Sequence, residues 1–155
     1  MKGLTAFLAS CVLSACAASP DVRRDDSVDI TLSAARINAG ETGRAFLVPL
    51  GDRTQVTITV SGVPVELASR PVHLYTFIYK GTCGSLAEPP SYALNERVLT
   101  QSITSTVGGA LSITNVAPVA VHVLQNEPHA IRVMTSPADG NREIFCGDIP
   151  LSTAR

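Results

Sequence analysis

Charge is scarce in this sequence. Only 16% of its 155 residues are charged, and twelve basic against thirteen acidic side chains leave a net charge of −1. No strong positive field can form, which excludes a nucleic-acid binder that works by attracting phosphates. With 45% apolar residues, the chain is equally far from the composition of a wholly disordered protein. Lysine is confined to Lys2 and Lys80, and tryptophan is absent. No apolar run is long enough for an ordinary transmembrane helix. The signatures of several common chemistries are missing too: there is no GxSxG elbow, phosphate-binding loop, HExxH, GxGxxG or CxxC. Histidine occurs only as His73, His122 and His129. The length suits one domain and is too short for two comfortable ones.

What is present begins with an address. Residues 1–15, MKGLTAFLASCVLSA, join a positive start at Lys2 to an apolar stretch from Leu4 to Leu13, the pattern of a secretory signal peptide. Leu13-Ser14-Ala15-Cys16 then resembles the lipobox of bacterial lipoproteins. Small residues let the backbone enter a peptidase groove, and a thiol accepts a diacylglycerol. The resemblance implies that Cys16 becomes the lipidated first residue of the mature chain, anchored to the membrane through its acyl (palmitate) chains. Each buried methylene contributes about 0.8 kcal/mol, so several chains hold the protein firmly. Ala17 stands where, in enteric bacteria, an Asp would favour the inner membrane, so the resemblance points to an outer-membrane lipoprotein facing periplasm or surface. Cleavage after Ala17 or Ala18 would instead give a soluble periplasmic or secreted protein. Residues 16–27 are expected to form a lipid-anchored flexible tether, because they are polar, contain Pro20 and lack an apolar period. The eleven residues after Cys16 would span about 20 Å as coil. Within them the Arg23-Arg24-Asp25-Asp26 charges cancel locally.

From residue 28 to residue 155 the dominant period is two. Val56, Ile58 and Val60 alternate with Thr57 and Thr59, and Leu111 and Ile113 alternate with Ser112 and Thr114. Val119, Val121 and Val123 alternate with Ala120, His122 and Leu124 in the same way. Further strands are expected over 28–34, 44–50, 71–79, 97–105, 129–135 and 142–148. Valine and threonine, whose branched Cβ suits a pleated surface, are abundant. Breakers such as Gly51-Asp52, Pro89-Pro90 and Asn126-Glu127-Pro128 separate the runs, and Gly108-Gly109 is a hairpin signal. A helical turn has room only within 84–96. The expected fold class is therefore all-β: a single antiparallel β-sandwich, immunoglobulin-like in its strand pattern, with seven to nine strands and one disulfide.

The cysteines supply the disulfide. Cys11 leaves with the signal and Cys16 takes lipid, so the mature domain keeps Cys83 and Cys146. An even pair in an exported protein implies a bridge. A closed loop of about 64 residues would stabilise the domain by roughly 4 kcal/mol in the chain-entropy model. A metal or redox pair is the competing use of the two thiols.

His73-Leu74-Tyr75, Gly81-Thr82-Cys83-Gly84, Ala130-Ile131-Arg132-Val133-Met134 and Phe145-Cys146-Gly147-Asp148-Ile149 together resemble the layout of copper/zinc superoxide dismutases. In that family an HxH strand precedes a loop cysteine, which pairs with a cysteine in the terminal strand. The likeness covers residues 55–150 and implies a superoxide dismutase-like form of the sandwich, together with the bridge. It does not imply the activity. Tyr75 stands at the second histidine position and Met134 at the late one, and the loop from Ser85 to Ser105 has neither His nor Asp. A redox metal centre with ordinary coordination cannot be built from these ligands. No cofactor and no dismutase activity are expected.

A residual soft Cu(I) pair of His73 and Met134 is weighed against core packing of Met134. His122 points to the face opposite its flanking valines, and His129, after Pro128, is expected in water. Ser85, His122 and Asp148 can be drawn as a triad, but any serine-rich chain invites that drawing. The stretch from Val72 to Tyr79 is apolar on both faces. It reads either as a central strand buried between sheet and loop or as an aromatic binding surface formed by Tyr75, Tyr79 and Tyr92. The functional expectation is a non-catalytic cell-envelope lipoprotein, a binding or structural module that meets a protein partner through loops and edge strands. A copper-handling protein on a dismutase-like fold is the alternative, and a small hydrolase ranks last.

Overall fold

The computed structural model describes residues 27–63, 72–95, 98–101 and 110–152. The leader, Cys16 and the tether up to residue 26 lie outside the described residues. So do the Gly108-Gly109 signal and residues 102–105 of the strand expected over 97–105. In chain order the elements are β1 (Val28–Ala34), β2 (Gly43–Leu50), β3 (Arg53–Val60), β4 (Val72–Thr82), β5 (Ser85–Leu86), β6 (Tyr92–Ala93), β7 (Leu99–Gln101), β8 (Leu111–Ala117), α1 (Val121–Asn126), β9 (His129–Thr135) and β10 (Glu143–Ile149). The fold is all-β and antiparallel, as the period of two predicts, and it contains one disulfide among the described residues.

β1 is the joint of the architecture. Its first five residues pair with β2, from Val28 opposite Leu47 to Leu32 opposite Gly43. Its last two, Ser33 and Ala34, pair with Cys146 and Phe145 of β10. One strand therefore changes partner along its length, which turns the corner between two packed layers. β1, β2, β3 and β8 form one layer, and β10, β9 and β4 with its short partners form the other. The sheet curls until β7, beside β4 at one end of the order, comes close to β8 at the other.

Alternation decides which side chains meet inside the curl. Ile30, Leu32, Ala45, Leu47, Val56, Ile58 and Val60 come from the first layer, and Leu74, Ile78, Ile131, Val133, Phe145 and Ile149 from the second. Gly147 faces the same interior, where β10 passes β1. A Cβ there would lie 2.6 Å from Leu32 Cδ2 and 2.9 Å from the Thr31 carbonyl oxygen. Glycine is what allows this approach, because the carbonyl belongs to backbone and cannot swing aside.

Two expectations are corrected. Residues 119–124 do not continue as a strand; they lead into the six-residue helix α1 between β8 and β9. A strand would bury Val121 with Val123, whereas here Val121 and Leu124 are buried three residues apart and Val123 is 39% exposed. A helix this short has little stability of its own. Packing of Val121 and Leu124 holds it, and the Thr54 hydroxyl donates to the Val119 carbonyl at 2.7 Å just before it. The stretch 84–96, given room for a helical turn, instead carries β5 and β6 on the edge of β4.

Gly147→Ala should lower stability by about 1–3 kcal/mol, since the added methyl must push β10 from β1. Urea unfolding followed by circular dichroism would measure the loss, and an unchanged midpoint would show that the two strands can separate freely.

Candidate functional site

Three strands of the second layer present an outer face whose residues fall into rows. Across one row stand Ser33 of β1, Cys146 of β10, Arg132 of β9, Phe77 of β4 and Ala93 of β6. The next row sets Asp148 beside Ala130 and Tyr79. The loop after β4 folds back over this face. Cys83 in that loop bridges to Cys146 with a Cα–Cα separation of 5.9 Å, an ordinary disulfide span. Its backbone N–H donates to Asp148 Oδ1 at 2.7 Å. Glu88, past β5 in the same β4–β6 connection, reaches the Arg132 guanidinium at 3.6 Å, while Arg132 Nε donates to Glu143 Oε2 at 2.6 Å. The guanidinium also lies 5.7 Å from the centre of the Tyr79 ring, within cation–π range. Arg132 is thus satisfied on several sides, and the loop lies over it.

This cover determines what becomes of the aromatic residues. Tyr79 is 4% exposed, under Arg132 and the loop, and Tyr75 is half-buried. Tyr92 pairs with Ile78, whose side chain points inward, so Tyr92 packs against the core from the opposite face. The three tyrosines do not assemble one surface. Period-two alternation on β4 fixes Tyr75 and Tyr79 outward, and the β4–β6 register fixes Tyr92 inward.

The other candidates are placed as follows. His73 is half-buried and Met134 buried, on neighbouring strands with Tyr75 directly opposite Met134. Among the described residues no three His, Cys, Asp or Glu side chains gather as a metal cluster. Ser85 sits in the β4–β5 hairpin and Asp148 is engaged with the Cys83 amide. His122 lines a groove with Ser27, Pro49, Gly51, Val121 and Gln125, and neither Ser85 nor Asp148 lines it. The triad is therefore not assembled there. His129 is corrected outright: it is 2% exposed, not wet. It opens β9, and its Nδ1–H donates to the carbonyls of Leu124 at 3.1 Å and Glu127 at 3.0 Å, closing the turn after α1. Pro128 marks a turn in sequence, but β9 starts at the very next residue and carries the ring inward.

The first layer offers the more open surface. On the outer side of β2, β3 and β8, hydroxyls pair across strands: Thr57 with Thr114 at 2.9 Å and Thr59 with Ser112 at 3.1 Å. Phe46, 39% exposed, stands among them opposite Thr57. A shallow groove of about 250 Å³ runs beside it, lined by Thr42, Arg44, Phe46, Thr59 and Ser61 among others. Arg44 pairs with Asp29 at 3.3 Å. At the groove's edge Ser61 Oγ donates to Glu41 Oε2 at 2.5 Å and accepts from the Thr42 amide at 2.8 Å. Alternation alone did not single out Phe46, because Ala45, Phe46, Leu47 and Val48 form an unbroken apolar run. The signal that could have found it is the pairing with β3, whose threonines mark the outward positions.

One exposed ion pair carries a clear electrostatic signature. Lys80 Nζ lies 2.8 Å from Glu127 Oε1. The hydrogen bond from Lys80 holds the Glu127 carboxyl below its ordinary range, and the bond to Glu127 raises the Lys80 ammonium above its own. Compared with family models, curated proteins and solved structures, the chain shows no match.

Replacing both Cys83 and Cys146 by serine should cost about 2–4 kcal/mol in urea unfolding and should raise Tyr79 accessibility to acrylamide. No loss of stability together with unchanged quenching would show that the loop stays in place without the bridge. For the ion pair, the sign follows from both shifts. Its contribution is present at neutral pH, is lost in acid as Glu127 protonates, and is lost in base as Lys80 deprotonates. NMR titration should place the Glu127 midpoint below the usual carboxylate range, and Lys80→Met should return it there.

Proposed function

We propose that this chain is a lipid-anchored, non-catalytic module of the bacterial cell envelope that meets a protein partner through the outer face of β2, β3 and β8. The observation that carries the reading is that face itself. It sets an exposed aromatic ring, Phe46, among paired hydroxyls and beside a shallow groove, while the corresponding face of the second layer lies under a disulfide-held loop. An apolar centre within a polar surround is the anatomy of a modest protein interface. Two features of the chain support the location. The lipobox-like Leu13-Ser14-Ala15-Cys16 follows a signal-peptide pattern. The Cys83–Cys146 bridge belongs to an oxidising compartment.

The mechanism in this reading is recognition. Cys16 sets location, the tether sets reach, the disulfide sets shape, and the Phe46 face supplies contact area. Hydroxyls that bond one another across strands remain able to accept or donate to a partner with little reordering, which keeps the entropic cost of binding low.

Radiolabelled palmitate should enter the wild-type chain and not the Cys16→Ala variant. A benzophenone amino acid at position 46 should give a discrete photo-crosslinked adduct in intact cells, while the same group at position 75 should not. Absence of label in the wild type would remove the anchor. Equal crosslinking from both positions, or none from 46, would remove the assigned face.

A further inference from the structure

The antiparallel order gathers particular segments at one end of the sandwich. β1 begins there at Val28, β2 ends at Leu50, β3 starts at Arg53, and β8 ends at Ala117. β9 starts there at His129 opposite Ile149, the last residue of β10, and Lys80 of β4 stands opposite the same His129. α1 closes this end, and Ser27, through which the chain arrives from its N-terminal segment, lines the groove of about 450 Å³ beside α1.

Among the described residues five large apolar side chains are exposed: Ile37, Phe46, Leu50, Val123 and Leu151. Single exposed apolar residues are ordinary. Here, however, three of the five share the end where the chain enters. Val123 projects from α1 away from Val121 and Leu124, which are buried. Leu151 is held against α1 by its neighbours: the Ser152 amide donates to the Gln125 carbonyl at 3.0 Å, and Gln125 Nε2 donates to the Pro150 carbonyl at 3.4 Å. Leu50 lies between Pro49 and Gly51, which line the groove together with α1. Charges at this end are of mixed sign: Lys80 pairs with Glu127, Asp52 and Arg53 are adjacent in sequence, and exposed Asp148 accepts from the Cys83 amide. Attraction to anionic lipid is therefore weak, and apolar contact is the larger effect.

We infer that the α1 end of the sandwich rests on the lipid surface, with Leu50, Val123 and Leu151 entering the headgroup boundary. The inference rests on the proposal that Cys16 carries lipid. A coil of the eleven residues that follow Cys16 would span about 20 Å, which in this reading keeps the end bearing Ser27 near the bilayer. In that posture the strands stand up from the membrane and the Phe46 face is left to the side, open to a partner.

The lack of tryptophan gives a clean reporter. Full-length lipidated chain carrying Val123→Trp, Leu151→Trp or, as control, Ile37→Trp would be reconstituted on vesicles of phosphatidylethanolamine and phosphatidylglycerol containing brominated lipid. Ile37 is 37% exposed, close to the 39% of Val123, but follows β1 at the opposite end. Trp at 123 and 151 should be quenched roughly two-fold or more beyond Trp at 37, since interfacial apolar groups sit about 5–10 Å into the boundary. Quenching should change little when phosphatidylglycerol is left out. Flotation of the wild-type chain but not of Cys16→Ala, with equal quenching at all three positions, would overturn the docking and leave the anchor standing. Flotation of Cys16→Ala as complete as wild type, with strong quenching at 123 and 151, would support the docking and overturn the anchor. Failure of the wild type to float would overturn both. Trp at 123 that envelope extract shields from iodide while brominated lipid does not quench it would assign this end to a protein and overturn the docking.

Discussion

A single covalent tie, Cys83 to Cys146, decides which parts of this sandwich are available. It joins the loop after β4 to the outer face of β10 and so lays that loop across the second layer. Arg132, next to Cys146 in the row, then meets Glu88 from the loop and Glu143 from its own sheet, with the Tyr79 ring beside it. A guanidinium with two carboxylates is well satisfied in a partly dry place, whereas removal of either carboxylate partner would leave charge poorly compensated. The tie and the ionic cluster thus act on the same few residues. Among the described residues no such loop is tied across the first layer at Phe46, which is 39% exposed, whereas Tyr79 of β4 is 4% exposed.

The second constraint is the change of partner along β1. A strand that pairs with β2 for five residues and with β10 for two must bend between the layers. Gly147 permits the close crossing that results. The same geometry fixes the ends of the molecule. All the segments that gather beside α1 do so because each neighbouring pair is antiparallel, so the entry of the chain, the groove at α1 and the exposed Val123 and Leu151 share one side.

Much of this could be read from residue order. Alternation of Val56, Ile58 and Val60 with threonines needs only a period of two and a one-sided core, and β3 forms there. The bridge followed from pairing Cys83 with Cys146 on the expectation of an oxidising compartment, and it forms there. α1 was not legible, because Val119, Val121 and Val123 satisfy the strand pattern as well as Val121 and Leu124 satisfy a helical one. Six residues are too few for periodicity to choose, and the packing at the end of the sandwich chose. His129 escaped for a related reason: a turn-forming Pro128 said nothing about the two carbonyls that would close on the imidazole.

The exposed faces show the same division. The sequence determined that β4 is apolar on both sides, and that hydroxyls and apolar residues alternate on β3 and β8. These are local properties, set by side-chain type and the pleat. Only the tertiary structure decided that one aromatic face is roofed by a loop, that Tyr92 turns inward, and that Phe46 stands in the open. Each depends on register between segments far apart in the chain, and a residue carries no record of which strand it will meet.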